Sequence, residues 1–352
     1  MSGTATEPAA DAAPVRPEPA PTRFERLFDA FTGTVFGRHQ AAVVRIGFGL
    51  AWLGFLLREW PNRRVLYGDR SPWSADLSDT LLSATHAFTV LSWSDGRLWF
   101  ETVYHLGILA ALLMVLGWRT RASAVLFAVT VLSLQNRNVL VGDGGDNVVH
   151  LMAMYLVLVR SGLVWSLDAR RRARRADPAA PAAPVGELRA VRDALVTMLH
   201  NCGMVIIAAQ VVLIYSTAGW YKVQGSRWQD GTALHYPLRL DYFTPWPELS
   251  ALLGSSLLVT FVLSYGTVIL QVAFPFTLAN RRLKNALLAL MIAEHCAIAV
   301  VLGLPFFSLA MIAADLVFLP TAFLVRVGTL CRPAAGRLRA AVRLPATRPP
   351  SP

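Results

Sequence analysis

Long apolar runs alternate with short polar ones along most of the chain, and the runs carry almost no interior charge. Eight of them, at 41–57, 102–118, 122–136, 147–165, 195–219, 254–278, 285–303 and 305–325, are each about long enough as a helix to cross ~30 Å of hydrocarbon. The pattern predicts an all-α, polytopic transmembrane helix bundle of about eight spans. Gly266 or Pro275 is expected to kink the sixth span, and Trp246–Leu257 to lie in the interface. A short amphipathic segment near Phe24–Phe36 precedes the first span.

Residues 1–22 are rich in Ala, Pro and Thr, lack the apolar region of a signal peptide and read as a disordered tail. Residues 23–325 form the predicted transmembrane domain, interrupted by an Arg-rich linker at 166–194, and 326–352 read as a basic tail. An N-terminus on the cytoplasmic side puts 22 Lys and Arg on that face and 8 on the other. Basic loops resist translocation, so both termini are expected in the cytoplasm of a multi-pass protein of the inner (plasma) membrane. The Arg170–Arg175 run, followed by an Ala/Pro stretch, reads as a flexible tether near anionic headgroups.

Of 352 residues 55% are hydrophobic and 16% charged, and mean hydropathy is +0.46, which excludes a water-soluble globule. The net charge of +11 follows from membrane orientation, with no folded soluble region to carry a basic patch, so no nucleic-acid partner is expected; the lipid bilayer is the expected surrounding. Cys202, Cys296 and Cys331 lack CxxC spacing and read as packing residues, with no metal site implied. Only Lys222 and Lys284 are lysines among 33 basic residues. Lys284 sits in an arginine cluster as an anchor; Lys222 ends the fifth span alone.

Lys222 is flanked by Trp220, Tyr221 and Trp228. Either it snorkels to water, or the aromatic residues strip water from the amine and favour its neutral, basic form. Asp143, Asp146 and His150 are spaced to share one helix face beside Asn147, as a polar wall of a substrate or proton pathway or as a simple helix cap. Within the spans, Arg45, His105, Glu294, His295 and Asp315 are costly to bury and are expected to pair or face the bundle interior. Asp315 is expected to meet Arg45 or His295. Glu294 and His295 point about 100° apart, which argues against their lining one site. His200 and His39 receive no role.

The string Ala218-Gly219-Trp220-Tyr221-Lys222, with Trp228 and Gly231 following, resembles the A-G-x-x-K segment of vitamin K-dependent gamma-carboxylases and of the wider bacterial HTTM-domain group. Arg45-Ile46, the turn Gly142-Asp143-Gly144-Gly145-Asp146-Asn147, and Glu294-His295-Cys296 through Gly303-Leu304-Pro305-Phe306-Phe307 to Phe318-Leu319-Pro320 are similar to it in order and spacing. The resemblance covers roughly residues 40–325. It implies a bacterial integral-membrane lyase and quinol epoxidase. Lys222 would act as base toward a reduced naphthoquinone of vitamin K or menaquinol type. Dioxygen would be consumed to generate a strong base, and carbon dioxide would be added to a peptide or small molecule. His150 is the candidate for the family's second functional position, and Trp220, Tyr221, Trp228, Asp143, Asp146 and Asn147 are candidate substrate contacts. The competing expectations are a non-enzymatic membrane protein for maturation, export or immunity of a secreted peptide, and a transporter.

Overall fold

The computed structural model describes residues 22–176 and 186–330, and among these every regular element is helical. The predicted tails, apart from Thr22 and residues 326–330, the Ala/Pro stretch of the linker and Cys331 lie outside the described residues. In chain order the α-helices are α1 (Arg23–Gly33), α2 (Arg38–Glu59), α3 (Arg63–Leu66), α4 (Ala75–Thr85), α5 (Arg97–Leu116), α6 (Thr120–Arg137) and α7 (Gly144–Leu158). There follow α8 (Leu167–Arg175), α9 (Glu187–Gln224), α10 (Ser226–Gln229), α11 (Pro247–Ser255), α12 (Leu257–Thr277), α13 (Arg281–Val301) and α14 (Pro305–Asp315), with a last helical segment at Thr321–Leu330.

Helices α2, α5, α9, α12 and α13 are long and apolar enough to cross a membrane, and a sixth crossing is formed if Pro305–Phe318 and Thr321–Leu330 count as one span. The chain is a membrane protein. That last pair is bent by 112°, so the run predicted at 305–325 is not one straight helix. Pro320 has no N–H to donate and pushes Leu319 out of the helical region, to φ −62° and ψ 138°. The run predicted at 147–165 likewise stops at Leu158. Beyond it the chain turns through Gly162 and a left-handed Trp165 before Ser166 caps α8. Much of the arginine run expected to be a flexible tether is therefore helix.

Two groups of helices meet at α14. On one side α2 packs on α5, α5 on α6, α6 on α7, and both α2 and α7 on α14; on the other, α9 packs on α12, α12 on α13, and α13 on α14. Several starts carry a capping side chain. Asp143 forms a reciprocal capping box with Asp146 at α7, Ser256 caps α12 and Asn280 caps α13. α1 lies outside the bundle with Phe24, Leu27 and Phe28 exposed, and the Asn201 amide of α9 holds it by donating to the Phe31 and Thr34 carbonyls at 2.7 and 2.8 Å. His200, fully buried, accepts from the Arg160 amide at 3.0 Å and bonds the Phe36 carbonyl at 2.7 Å, a structural stitch.

Arg45 in α2 does not meet Asp315. Its guanidinium donates to the carbonyls of Ser161 (3.2 Å), Met114, Val115 (3.2 Å) and Trp165 (2.8 Å), and no part of the residue reaches the surface. Those oxygens lie at the end of α5 and in the turn after α7, where the helix dipole already favours a cation, and of them Met114 also accepts from the Gly117 amide at 3.2 Å. Gly117, at φ +68°, makes room: a Cβ there would lie 2.4 Å from Ser166 Cβ and 2.8 Å from Arg45 Nη1. His105, expected in the interior, is instead half exposed, accepting from Trp60 Nε1 at 3.1 Å.

Replacing Arg45 with Met removes the side-chain donor from the buried Ser161 carbonyl and from the Trp165 carbonyl, a loss of about 2 kcal/mol or more. The expected outcome is a melting midpoint several degrees lower in detergent, whereas Arg58→Met, at the surface, leaves it nearly unchanged.

Candidate functional site

The site is built from the last two turns of α9. Gly219 lets that helix lie directly against α12, since a Cβ at this position would come within 2.8 Å of Val272 Cγ2 and 3.1 Å of the Val272 amide nitrogen. Lys222, three residues on, shares the same face and so is delivered to α12. Its Nζ donates to Gln271 Oε1 at 2.9 Å and lies 5.2 Å from the ring centre of Trp228. Gln271 in turn donates through Nε2 to Glu294 Oε1 at 3.3 Å. The amine is thus tethered to a neutral amide, with the carboxylate one residue further away.

A cavity of about 690 Å³ opens beside this amine. Its walls are mainly apolar, from Val262, Leu263 and Leu270 of α12, Leu290 and Ile298 of α13, and Leu234, Leu238 and Trp228 of the segment that follows α9. Polar atoms reach it at a few points only, chiefly Lys222, Gln271, Glu294 and His295. That is the usual character of a site for a largely apolar ligand with a few polar groups.

Behind the cavity stands a buried polar cluster. The Tyr215 hydroxyl lies 3.0 Å from both carboxylate oxygens of Asp315 and 3.1 Å from His295 Nε2. The hydroxyl thus bridges the carboxyl group and the imidazole. That contact engages one nitrogen of the imidazole and leaves the other, Nδ1, outside the cluster. Nδ1 is buried and has no partner among the described residues, and His295 lines the cavity. Phe307 of α14 packs across the imidazole with ring centres 5.7 Å apart.

The candidates read from sequence divide sharply. Lys222, Trp228, Glu294 and His295 line this cavity, and Asp315 supports it through Tyr215. Glu294 and His295 do therefore line one site, because the cavity follows α13 around the 100° arc between them. Trp220 and Tyr221 do not cover the lysine: they step around α9 away from it and are 51% and 75% exposed. The expected aromatic cover reduces to Trp228, which α10 folds back over the amine after the helix ends at Gln224.

Asp143, Asp146, Asn147 and His150 gather elsewhere. Asp143 is the cap of α7, accepting from the Gly145 amide at 2.6 Å, while His150 Nδ1 bonds Gln135 Oε1 at 3.0 Å beside a second cavity of about 560 Å³. A third, of about 350 Å³, holds Trp52, Arg58, Asp143 and Asp146 and is separated from the Lys222 cavity by Phe307, which lines both. The glycine turn and the Pro-Phe-Phe segment are joined directly here, since a Cβ on Gly145 would sit 2.6 Å from Phe307 Cα. Two residues of the site escaped the sequence reading. Tyr215 stands seven residues before Lys222, two helical turns on the same face, and Gln271 is a lone amide in an otherwise apolar span; both signals were present.

No solved structure matches the chain. Sporulation-delaying protein SdpB of Bacillus subtilis (strain 168) is 27% identical to it over 226 residues, which are 62% of this chain and 64% of SdpB, so the likeness spans less than two thirds of that protein. The model of the HTTM domain matches residues 38–323, from the start of α2 to the segment after Pro320, taking in α9, Gln271, the Glu294-His295 pair and Asp315. With that match running through nearly every described helix, the chain belongs to the HTTM domain family.

Proposed function

We propose that this protein is a gamma-carboxylase-like membrane enzyme in which Lys222 acts as base toward a reduced quinone held in the 690 Å³ cavity. The observation that carries the reading is the position of the amine: at the rim of an apolar cavity, bonded to the Gln271 amide oxygen. One N–H of the amine is fixed by Gln271, so a deprotonated Lys222 can turn its lone pair toward a ligand. Glu294, one amide away, balances the charge that the lysine acquires on accepting a proton.

The residues present fit a reduced naphthoquinone. Leu263, Leu270, Ile298 and Phe307 would bound its rings, and the unpartnered Nδ1 of His295 is a hydrogen-bonding group for a phenolic oxygen. Such a group, with dioxygen, supplies the oxidative energy for a base stronger than any side chain, able to prepare a carbon for carbon dioxide. Tyr215 and Asp315 hold the His295 ring in orientation, and Trp228 and the segment after it keep water from the amine. The carboxyl acceptor is a peptide or small molecule. This reading places the protein in the inner (plasma) membrane with its termini in the cytoplasm, about eight crossings when α6 and α7 are counted, and residues 23–325 as one domain.

The SdpB likeness, to a protein named for delaying sporulation, favours a second reading. In it the outer loops bind a secreted peptide and serve its maturation, export or immunity without chemistry.

Oxygen-dependent epoxidation of a quinol by purified protein separates the two. Lys222→Arg keeps the charge and removes the accessible free base, so turnover is expected to fall at least about 100-fold. Full activity in that variant rejects the mechanism, and undiminished peptide processing in cells carrying it supports the second reading. Ala297→Trp fills the cavity from α13; it is expected to abolish retention of a naphthoquinone by the purified protein while the melting midpoint stays near that of the wild type.

A further inference from the structure

The opposite end of the bundle carries a site that the reaction does not use. His200 and Lys222 lie on the same helix, α9, 22 residues and thus about 33 Å apart along its axis. Where α9 passes the Arg160 turn, a bowl of about 500 Å³ opens between the start of α6 and the turn joining α7 to α8. Arg119, Arg121, Arg160 and Arg172 converge on it from three separate stretches of chain.

The bowl's own carboxylate is already committed. Asp168 accepts from the amides of Arg119 and Thr120, both at 2.8 Å, and from the Thr120 hydroxyl at 3.0 Å. Burial alone would raise that carboxyl, but these bonds and the Arg172 charge hold it below its ordinary value, so it stays ionised as the cap of α6. Asp193 is nearby and paired with Arg192 at 2.8 Å. None of the four guanidinium groups has a carboxylate within 4.0 Å among the described residues. Against one carboxylate the bowl sets four fixed positive charges.

Their backbones are held in place. Arg119 sits in the left-handed region at φ +44°, pinned by Asp168, and Arg172 donates to the Gly162 carbonyl at 2.5 Å. Arg160 reaches the Thr197 hydroxyl at 3.4 Å while its amide is fixed by His200. Gly162 lies against Thr120, where a Cβ would come 2.3 Å from Oγ1, so the turn is packed onto the start of α6. Trp118 lies beneath Arg119 and Arg171, each 5.5 Å from its ring centre, at the edge of the apolar zone where headgroups meet hydrocarbon. A preformed cluster of planar, multidentate donors at that depth matches a phosphate group, and the adjoining apolar helix faces match acyl chains.

We propose that this bowl binds the phosphodiester headgroup of an anionic phospholipid, seating one lipid between the start of α6 and the α7–α8 turn. The chemistry recognised is a phosphate with two or more accepting oxygens, and its acyl chains distinguish the lipid from free phosphate.

Full-length protein in nanodiscs containing phosphatidylglycerol and phosphatidylcholine tests the site, with bound lipid counted by native mass spectrometry after extraction. Wild type is expected to keep one phosphatidylglycerol in preference to phosphatidylcholine. Arg121→Gln with Arg160→Gln is expected to reduce that preference about twenty-fold, and Arg281→Gln with Arg282→Gln, at a different basic turn, to leave it unchanged. Arg121→Gln alone, at an exposed side chain, is expected to reduce it about five-fold, so the reading survives if the double variant fails to fold. Preference that persists in both bowl variants, or falls equally in the α13 variant, overturns the proposal. Release of the lipid by inorganic phosphate at constant ionic strength assigns the bowl to free phosphate and overturns the lipid; retention supports it.

Discussion

The constraint behind the site is the cost of holding an ionisable carboxyl at the centre of an apolar bundle. Asp315, with no exposed surface, takes the Tyr215 hydroxyl as its partner, and that hydroxyl is also hydrogen-bonded to His295. One side chain from α9, one from α13 and one from α14 are thereby tied together in the region where the two groups of helices join. Hydrocarbon offers no alternative partner, so the bonds set which faces of these helices look at each other. The free side of His295 then faces the cavity as a consequence of how its other nitrogen is used.

The same constraint acts at Arg45, with a different result. Four carbonyls satisfy that guanidinium, and none is a carboxylate, so the residue binds the end of α5 to the turn after α7 and takes no direct part in the site. Its position explains why α7 stops short: the turn at 159–166 must bring the Ser161 and Trp165 carbonyls to the arginine. That turn also carries Arg160 and leads into α8, which places the basic bowl there. One buried charge therefore shapes the end of the bundle remote from Lys222.

Much of the site was legible in the residues themselves. The one lysine set apart from any arginine cluster pointed to Lys222, and the rarity of charge within spans pointed to Glu294, His295 and Asp315. The errors have a common source. Trp220 and Tyr221 are close to Lys222 in sequence, but a helix rotates about 100° per residue, and neighbours in the chain are not neighbours in space. The same rotation was overvalued for Glu294 and His295, where the cavity wraps around the helix.

Sequence alone determined that the chain is helical and lives in a membrane, because the length of each apolar run and the scarcity of charge within it are local properties fixed by the thickness and dryness of the bilayer. It also marked the glycines of the 142–147 turn as places of close chain approach, whereas the break at Pro320, inside a run predicted as one span, emerged only in the fold. Only the tertiary structure decided which buried polar groups become partners: that Arg45 binds carbonyls, that Tyr215 joins Asp315 to His295, and that Gln271 stands between Lys222 and Glu294. Those choices join residues 23 to 120 positions apart. They depend on the mutual rotation and depth of packed helices, which no local pattern encodes.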